Sequence, residues 1–186
     1  SFALGGDATL NVGAYEVDAL DLGLVATALG GNADINASDS TVVSGGAGVL
    51  GTAIGGNTTI DTGDVTANGT GLGGTGIAGI AVDVGGTGGD VEIVTLGPTD
   101  ATGLFGIMAL ATGGDASITT GGYVNALNGS GVNAIALGGD ATIDTTGGDV
   151  NSMYMGVGAL ALDGGVDIDT GNVHTTGSGF EGSGVV

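Results

Sequence analysis

Acidic side chains are the only plentiful groups in this sequence that could bind a metal ion or take part in catalysis. Twenty Asp and Glu residues are present, with no Lys, no Arg, no Cys and a single histidine, His174. Carboxylate oxygens are hard ligands that suit Ca²⁺, and a pair of carboxylates can hydrolyse a glycosidic bond. Many of the acids follow a Gly-Gly pair at regular intervals, so the elements that carry them have to be defined first.

Those elements form a repeat array. Near copies of residues 138–145 recur along the chain at spacings of 25, 25, 33, 25, 25 and 25 residues, centred on Leu10, Ile35, Ile60, Ile93, Ile118, Ile143 and Ile168. Apolar and polar residues alternate around each centre, which is typical of a strand with one buried face. Two further extended segments follow in each repeat, and Gly-Gly marks a corner. The sequence therefore predicts seven coils of about 25 residues with three strands each.

Stacked coils of this kind predict an all-β parallel β-helix, forming one domain over residues 1–186. We expect it to be right-handed, as parallel crossovers nearly always are, and about 34 Å long from the usual strand spacing. Coils are expected to begin near residues 5, 30, 55, 88, 113, 138 and 164. Coils three and seven share a three-residue insertion, and coil three has five more residues around 83–87. Pro98 predicts a local loop at residues 97–100, because proline cannot donate a ladder hydrogen bond.

The charge balance excludes several classes of partner. The formal net charge is −20, and phosphate backbones are bound by Lys and Arg, so no nucleic acid partner is expected. An anionic membrane surface would repel the chain, and no run of eighteen apolar residues predicts a membrane span. Acidic proteins without basic residues are well suited to staying soluble outside cells. We therefore expect an extracellular or cell-surface location.

Two interpretations of the acidic column that follows the Gly-Gly pairs stay open. Its members are Asp7, Asn32, Asn57, Asp90, Asp115 and Asp140. Asp and Asn side chains favour corners because they hydrogen-bond to nearby backbone and leave their charge in water. Alternatively, the stacked carboxylates of Asp90, Asp115 and Asp140 could bind Ca²⁺. Asp140 directly follows Gly139 and the period is 25, so the nonapeptide calcium-roll pattern is absent.

Catalysis is not expected from this chain. A polysaccharide lyase needs a basic residue near its uronate substrate, and none is present. A hydrolytic pair needs one carboxyl group in a distinct environment, whereas the acids here recur coil after coil. No motif places a Ser or Cys beside His174. We predict no catalytic residues and no cofactor, with Ca²⁺ the only ion considered.

Threonines form a further column two residues after the core isoleucine, at Thr62, Thr95, Thr120, Thr145 and Thr170. Outward arrays of threonine can order water, as in ice-binding proteins. The alternation of the strand instead turns this column inward, where the hydroxyls are expected to hydrogen-bond along the stack. Ice binding is therefore not favoured, and thermal hysteresis would test it.

The third segment of each coil carries a family resemblance. Residues 106–114 (GIMALATGG) and 131–139 (GVNAIALGG) resemble the glycine-rich repeats in passenger regions of autotransporter and filamentous-haemagglutinin-type bacterial surface proteins. The resemblance covers all seven coils. It implies a right-handed β-helix, export to the cell surface, and an adhesive or scaffolding role.

The same segment predicts a lateral contact. If its alanines face inward, the alternate residues form an apolar stripe along the rod that includes Leu110, Ile135, Leu137, Leu160 and Leu162. Isolated monomers seldom expose so large a stripe. We expect it to pack against a second rod or another segment. Reversed parity, with the alanine wall outside, is the alternative.

The chain ends predict a head-to-tail contact. Residues 184–186 followed by residues 1–6 read GVVSFALGG, which matches residues 131–139. Val185 and Val186 would thus begin a strand that Ser1, Phe2, Ala3 and Leu4 of another unit complete. The same register would arise in one repeat of a longer polypeptide.

Together these patterns predict a non-enzymatic extracellular structural protein, the unit of a β-solenoid surface filament or adhesin stalk that associates with copies of itself. The alternative is a carbohydrate-binding or adhesive module, with Ca²⁺ as a stabilising ion. A groove with several exposed aromatic side chains would favour that alternative.

Overall fold

The computed structural model describes residues 1–86, 89–177 and 183–186. Within them, short strands follow one another with only one 3₁₀ helix, at Gly71–Gly74. The strands are β1 (Phe2–Leu4), β2 (Ala8–Asn11), β3 (Glu16–Ala19), β4 (Leu24–Leu29), β5 (Ala33–Ser44), β6 (Val49–Ile54), β7 (Thr58–Ala67), β8 (Ile77–Val82), β9 (Val91–Thr95), β10 (Thr99–Ala101), β11 (Phe105–Ala111), β12 (Ala116–Thr120), β13 (Val124–Ala126), β14 (Ser130–Ala136), β15 (Ala141–Thr145), β16 (Val150–Ser152), β17 (Val157–Ala161), β18 (Val166–Thr170) and β19 (Val173–Thr175).

Strands of successive coils pair in parallel, which confirms the predicted all-β solenoid of about seven coils. The third side of the coils forms a seven-stranded sheet in the order β1-β4-β6-β8-β11-β14-β17. The other two sides form a twelve-stranded sheet that contains all the remaining strands. Strands of the inner coils bond to the coil above and the coil below, whereas those of the end coils, such as β2 and β18, pair on one side only, as expected of a fold in which contacts join neighbouring repeats.

The predicted isoleucine column is continuous through the stack. Ile118 pairs with Ile93 on one side and with Ile143 on the other, and all three side chains are buried. Leu10 and Ile168, at the two ends of the column, are only partly buried. The alanines of the seven-stranded sheet face the same interior, so the alanine wall lies inside.

Coils two and three differ from the predicted three-strand plan. In them the first two sides run together as the single strands β5 and β7, with a register shift between Ala37 and Thr41. In coil two, the corner residues explain why the two sides form one strand. Coils five and six have Gly121-Gly122 and Gly147-Gly148 at this corner, whereas coil two has residues 38–40, Ser-Asp-Ser, which continue the extended backbone.

The loop predicted at residues 97–100 is right for Gly97 and Pro98 and wrong for Thr99 and Asp100, which begin β10. Pro98 occupies the corner itself, where its missing N–H is not needed by the ladder. Its carbonyl accepts a hydrogen bond of 2.9 Å from the Val65 N–H. The second side of coil four is therefore a regular strand.

The 3₁₀ helix Gly71–Gly74 lies in coil three between its second and third sides, where the three-residue insertion is expected. The second insertion of that coil contains Gly85 and Gly86, both at positive φ (75° and 80°), a conformation that favours glycine. The predicted start of coil four near residue 88 and the insertion residue Thr87 lie outside the described residues. Residues 178–182 of coil seven do so as well.

A valine column on the second side, absent from the sequence-based predictions, completes the core. Val42, Val65, Val124 and Val150 are each buried. Glycines face this column at the entrance to the seven-stranded sheet. A Cβ atom at Gly106 would lie 2.5 Å from Val124 Cγ1 and 2.6 Å from the Gly131 carbonyl oxygen, so the close packing of coils requires glycine there.

Candidate functional site

The outer face of the seven-stranded sheet carries the residues predicted to form the lateral contact. Ala109, Ala134 and Ala136 are fully buried beneath it, so the alternate side chains point outward. Leu110, Ile135 and Leu137 are half-buried on this face, while Leu160 and Leu162 are 48% and 63% exposed at its end. The structure thus brings these five residues onto one surface, and their contact with a second rod stays a prediction.

The C-terminal residues begin a strand against β17. Val185 forms a parallel bridge with Val157. The Val186 N–H donates to the Val157 carbonyl at 3.0 Å, and the Ala159 N–H donates to the Val186 carbonyl at 3.0 Å. This bonding pattern sets Val186 opposite Gly158. The rest of β17, from Ala159 onward, has no such partner among the described residues.

The N-terminal residues lie against the complementary half of β4. Phe2 pairs with Thr27, Ala3 with Ala28 and Leu4 with Leu29. The Ser1 ammonium donates to the Val25 carbonyl at 2.6 Å, and the Thr27 N–H donates to the Ser1 carbonyl at 2.9 Å. Ser1 is therefore opposite Ala26.

These two registers can be compared because all the strands of the sheet share one set of columns. Leu24 and Val157 belong to the first column, Val25 and Gly158 to the second, and Ala26 and Ala159 to the third. Val186 therefore occupies the second column at one end of the rod, and Ser1 occupies the third column at the other end. The two half-strands are consecutive, with no column skipped and none used twice.

A shallow apolar depression of about 300 Å³ lies beside the C-terminal half-strand on the outer face. Its lining includes Ile135, Met155, Leu160 and Val186, and its floor includes Gly158. The absence of a side chain at Gly158 creates the space, which the Met155 thioether partly fills: a Cβ atom at Gly158 would lie 2.5 Å from the Met155 sulfur.

The acidic corner column forms a ladder of hydrogen bonds between coils. Each side-chain oxygen accepts from the backbone N–H of its counterpart in the next coil: Asp90 Oδ1 from Asp115 at 3.0 Å, Asp115 Oδ1 from Asp140 at 2.7 Å, and Asp140 Oδ1 from Gly165 at 2.7 Å. Asn32 and Asn57 make the same contact with their amide oxygens. These hydrogen bonds join neighbouring coils, in contrast to the hydrogen bonds within one corner that were predicted from the sequence.

The described residues contain no group of three or more His, Asp or Glu side chains placed to hold a metal ion. Calcium binding at Asp90, Asp115 and Asp140 stays a prediction. Thermal unfolding with calcium and then with a chelator tests it, and an unchanged transition would contradict it.

A second polar ladder runs along the outer face of the second side. Asn125 Nδ2 donates to Asp100 Oδ1 at 2.8 Å, and Asn151 Nδ2 donates to Asn125 Oδ1 at 2.8 Å. The Tyr123 hydroxyl donates to Asp100 Oδ2 at 3.2 Å. The negative charge of Asp100, with smaller contributions from burial and this hydrogen bond, raises the pKa of Tyr123 above 10.0. His174 pairs with Asn151 at the end of this column and is exposed.

The threonine column faces inward, but its hydroxyls do not hydrogen-bond along the stack. Thr62, Thr95, Thr120 and Thr145 are buried, and the Oγ1 atom of each has no hydrogen-bond partner in the described part of the chain. The expected ladder of hydroxyl hydrogen bonds is therefore wrong.

Across residues 1–86, 89–177 and 183–186, no helix is long and apolar enough to cross a membrane. The exposed tyrosines Tyr15, Tyr123 and Tyr154 lie in separate parts of the chain, and none lines the depression at Gly158. A comparison of the chain with known protein families, curated proteins and solved structures finds no match.

Proposed function

We propose that this protein is a non-enzymatic structural unit of an extracellular β-solenoid filament or surface stalk, in which successive units stack head to tail. The observation that carries the proposal is the pair of complementary half-strands. Val186 lies in the second column of the seven-stranded sheet, and Ser1 lies in the third. A second unit placed on the first would complete one strand in register. The formal charge of −20 without any basic residue supports a location outside the cell.

Exposed strand edges at both ends support the same arrangement. Phe2 and Leu4 are 65% and 73% exposed at one end, and Leu162 and Val166 are 63% and 50% exposed at the other. Unprotected edges of this kind pair readily with other strands. A heterologous contact between different ends does not close on itself, so it extends into a filament.

The depression beside Gly158 gives the joint a specific filling. In a stack, Phe2 of the next unit follows Leu160 in its column and comes to lie diagonally beside the empty position at Gly158. Diagonal neighbours on adjacent strands are within reach of an aromatic side chain. We therefore expect the ring of Phe2 to cover the depression between Leu160, Met155 and Val186.

This joint would serve separate chains and consecutive repeats of one longer polypeptide equally well. Denaturing mass analysis of native material distinguishes a unit of 17.2 kDa from a much larger chain. The proposal concerns the register of neighbouring coils, which is the same in both cases.

Electron microscopy and light scattering of the 186-residue chain test the joint. We expect unbranched rods much longer than the roughly 34 Å of one unit, lengthening with protein concentration. Deletion of residues 1–4 removes half of the joint strand and should abolish elongation while the circular dichroism of the unit persists. Phe2→Thr keeps the backbone of the joint strand and removes only the ring, so it should shorten the rods without abolishing elongation; threonine already occupies this column at Thr27 and Thr52. Rods of normal length from the deletion variant would refute the joint.

A further inference from the structure

One side of this solenoid carries no acidic residue among its described strands. No acidic residue in the described part of the chain belongs to a strand of the seven-stranded sheet. The acids lie on the twelve-stranded sheet, as Asp34, Glu92 and Asp144 do, and at the corners, as Asp115 does. The outer face of the seven-stranded sheet instead presents the half-buried side chains of Ile80, Leu110 and Ile135 at its centre, and their column continues through Leu160 on one side and through the uncharged Thr52 and Thr27 on the other.

We propose that two copies of this chain associate laterally through the outer faces of their seven-stranded sheets, related by a twofold axis in the plane of the contact. The inference is independent of the head-to-tail joint, since it uses a different surface. Among the sheet faces of the described residues, this is the one at which two copies of a chain of charge −20 can meet without placing strand carboxylates against each other.

The size of the face is compatible with a specific contact. Seven strands spaced about 4.8 Å apart and about six residues wide cover roughly 30 Å by 20 Å, or on the order of 600 Å² on each partner. The total of about 1,200 Å² lies at the lower end of the range of specific interfaces. Flat sheets pack face to face with their side chains interdigitated, and an isologous contact requires a surface that complements itself.

The charge distribution also fixes how the contact responds to salt. Each partner turns its acidic twelve-stranded sheet outward, so the carboxylates of the two copies repel only at long range. At 0.1 M salt, repulsion between charges more than about 10 Å apart is largely screened. The apolar contact itself does not depend on this repulsion, so screening favours the pair. The association should therefore tighten as salt is added, whereas a contact between opposite charges would weaken.

Sedimentation velocity on the whole chain tests the proposal with a pair of matched variants. Ile135→Asp places a charge in the contact twice because of the twofold symmetry, so we expect lateral dimerisation to weaken at least a hundredfold. Thr119→Asp adds the same charge on the exposed face of β12 and should leave the dimer intact. The double variant Leu110→Thr/Ile135→Thr guards against misfolding, because threonine already stands in this column at Thr27 and Thr52.

Cysteine cross-linking gives a second readout that works inside a filament as well. The chain has no cysteine, so single cysteines at Ile80, Leu110 and Ile135 report only on their own positions. Mild oxidation should produce dimers of twice the unit mass from at least one of the three, and none from Thr119→Cys. An assembly that stays one solenoid wide at all concentrations, a lateral dimer that persists in Ile135→Asp, or a lateral association that loosens with salt would each refute the lateral contact. None of these results would affect the head-to-tail joint.

Discussion

Replacing the buried threonine Thr120 with valine should stabilise the protein. The two side chains have nearly the same shape, and valine fills the space of Thr120 without its hydroxyl. The Oγ1 atom of Thr120 is buried and has no hydrogen-bond partner in the described part of the chain. A buried polar group left without a partner costs about 1–3 kcal/mol. We therefore expect Thr120→Val to raise the free energy of unfolding by about 1 kcal/mol or more. In a chain of this length, each kcal/mol raises Tm by about 2–4 °C.

Urea unfolding followed by circular dichroism measures the change, and the adjacent residue supplies the control. Thr119 lies on the same strand but is exposed, so Thr119→Val should change the stability by less than about 0.5 kcal/mol. Thr95→Val/Thr120→Val replaces two neighbours in the column and should gain more than either single change. A loss of stability in Thr120→Val would refute the reasoning, because it would mean that the hydroxyl makes a hydrogen bond in the folded protein.

Three further substitutions test the ladders. Asp115→Ala removes the acceptor of the Asp140 N–H and should lower the free energy of unfolding in urea by about 0.5–1.5 kcal/mol. Asp115→Asn keeps an acceptor and should be at least as stable as the unchanged protein at low salt. Equal effects of the two substitutions would contradict the ladder. Asp100→Asn should lower the pKa of Tyr123 towards 10.0 in an ultraviolet absorbance titration. In the unchanged protein, the stability that protonated Tyr123 provides is present below pH 10 and is lost as the pH rises through its raised pKa. Ile118→Ala should cost about 2–5 kcal/mol and Ile118→Val about 0.5–1.5 kcal/mol, and similar losses from both would show that the site is not tightly packed.

The repeat period allowed most of the fold to be predicted. Each coil buries its apolar residues only against the coil above and the coil below, so residues one period apart must share a column. The registers of Ile118 with Ile143 and of Ala109 with Ala134 follow directly. Alternation left the parity of the third side open, because a one-residue shift would turn the alanine wall to solvent, and the burial of Ala109 and Ala134 shows that the wall lies inside.

The corners and the buried hydroxyls could not be predicted in the same way. Whether two sides join into one strand depends on the backbone freedom of a few corner residues, such as Gly121 and Gly122, and the repeat period does not report this. The inward direction of Thr120 was predictable from alternation, but its hydrogen bonds were not. They depend on whether an acceptor lies within about 3 Å and in line with the hydroxyl, as the Ile80 carbonyl does for Thr58 Oγ1 at 2.7 Å.

The register of the chain ends was predictable from the repeat period, as the register of the other strands was. The sequence match between residues 184–186 plus 1–6 and residues 131–139 uses the same period, so it predicted the columns in which Val185 and Ala3 are found. Deletion of residues 1–4 tests whether another unit lies there.

The two proposed contacts together limit the shape of the assembly. Head-to-tail stacking uses strand edges and is open, so it has no fixed length. Lateral pairing consumes the uncharged face of each rod and leaves the two acidic twelve-stranded sheets outside, where their carboxylates repel further rods. Growth should therefore continue along the axis and stop at two rods across it. Electron microscopy of filaments at about 0.1 M salt, where the repulsion between paired rods is screened, should show a uniform width of two solenoids, and the variant Ile135→Asp should form filaments half as wide. Filaments of Ile135→Asp with unchanged width would show that the seven-stranded sheet is not the lateral contact.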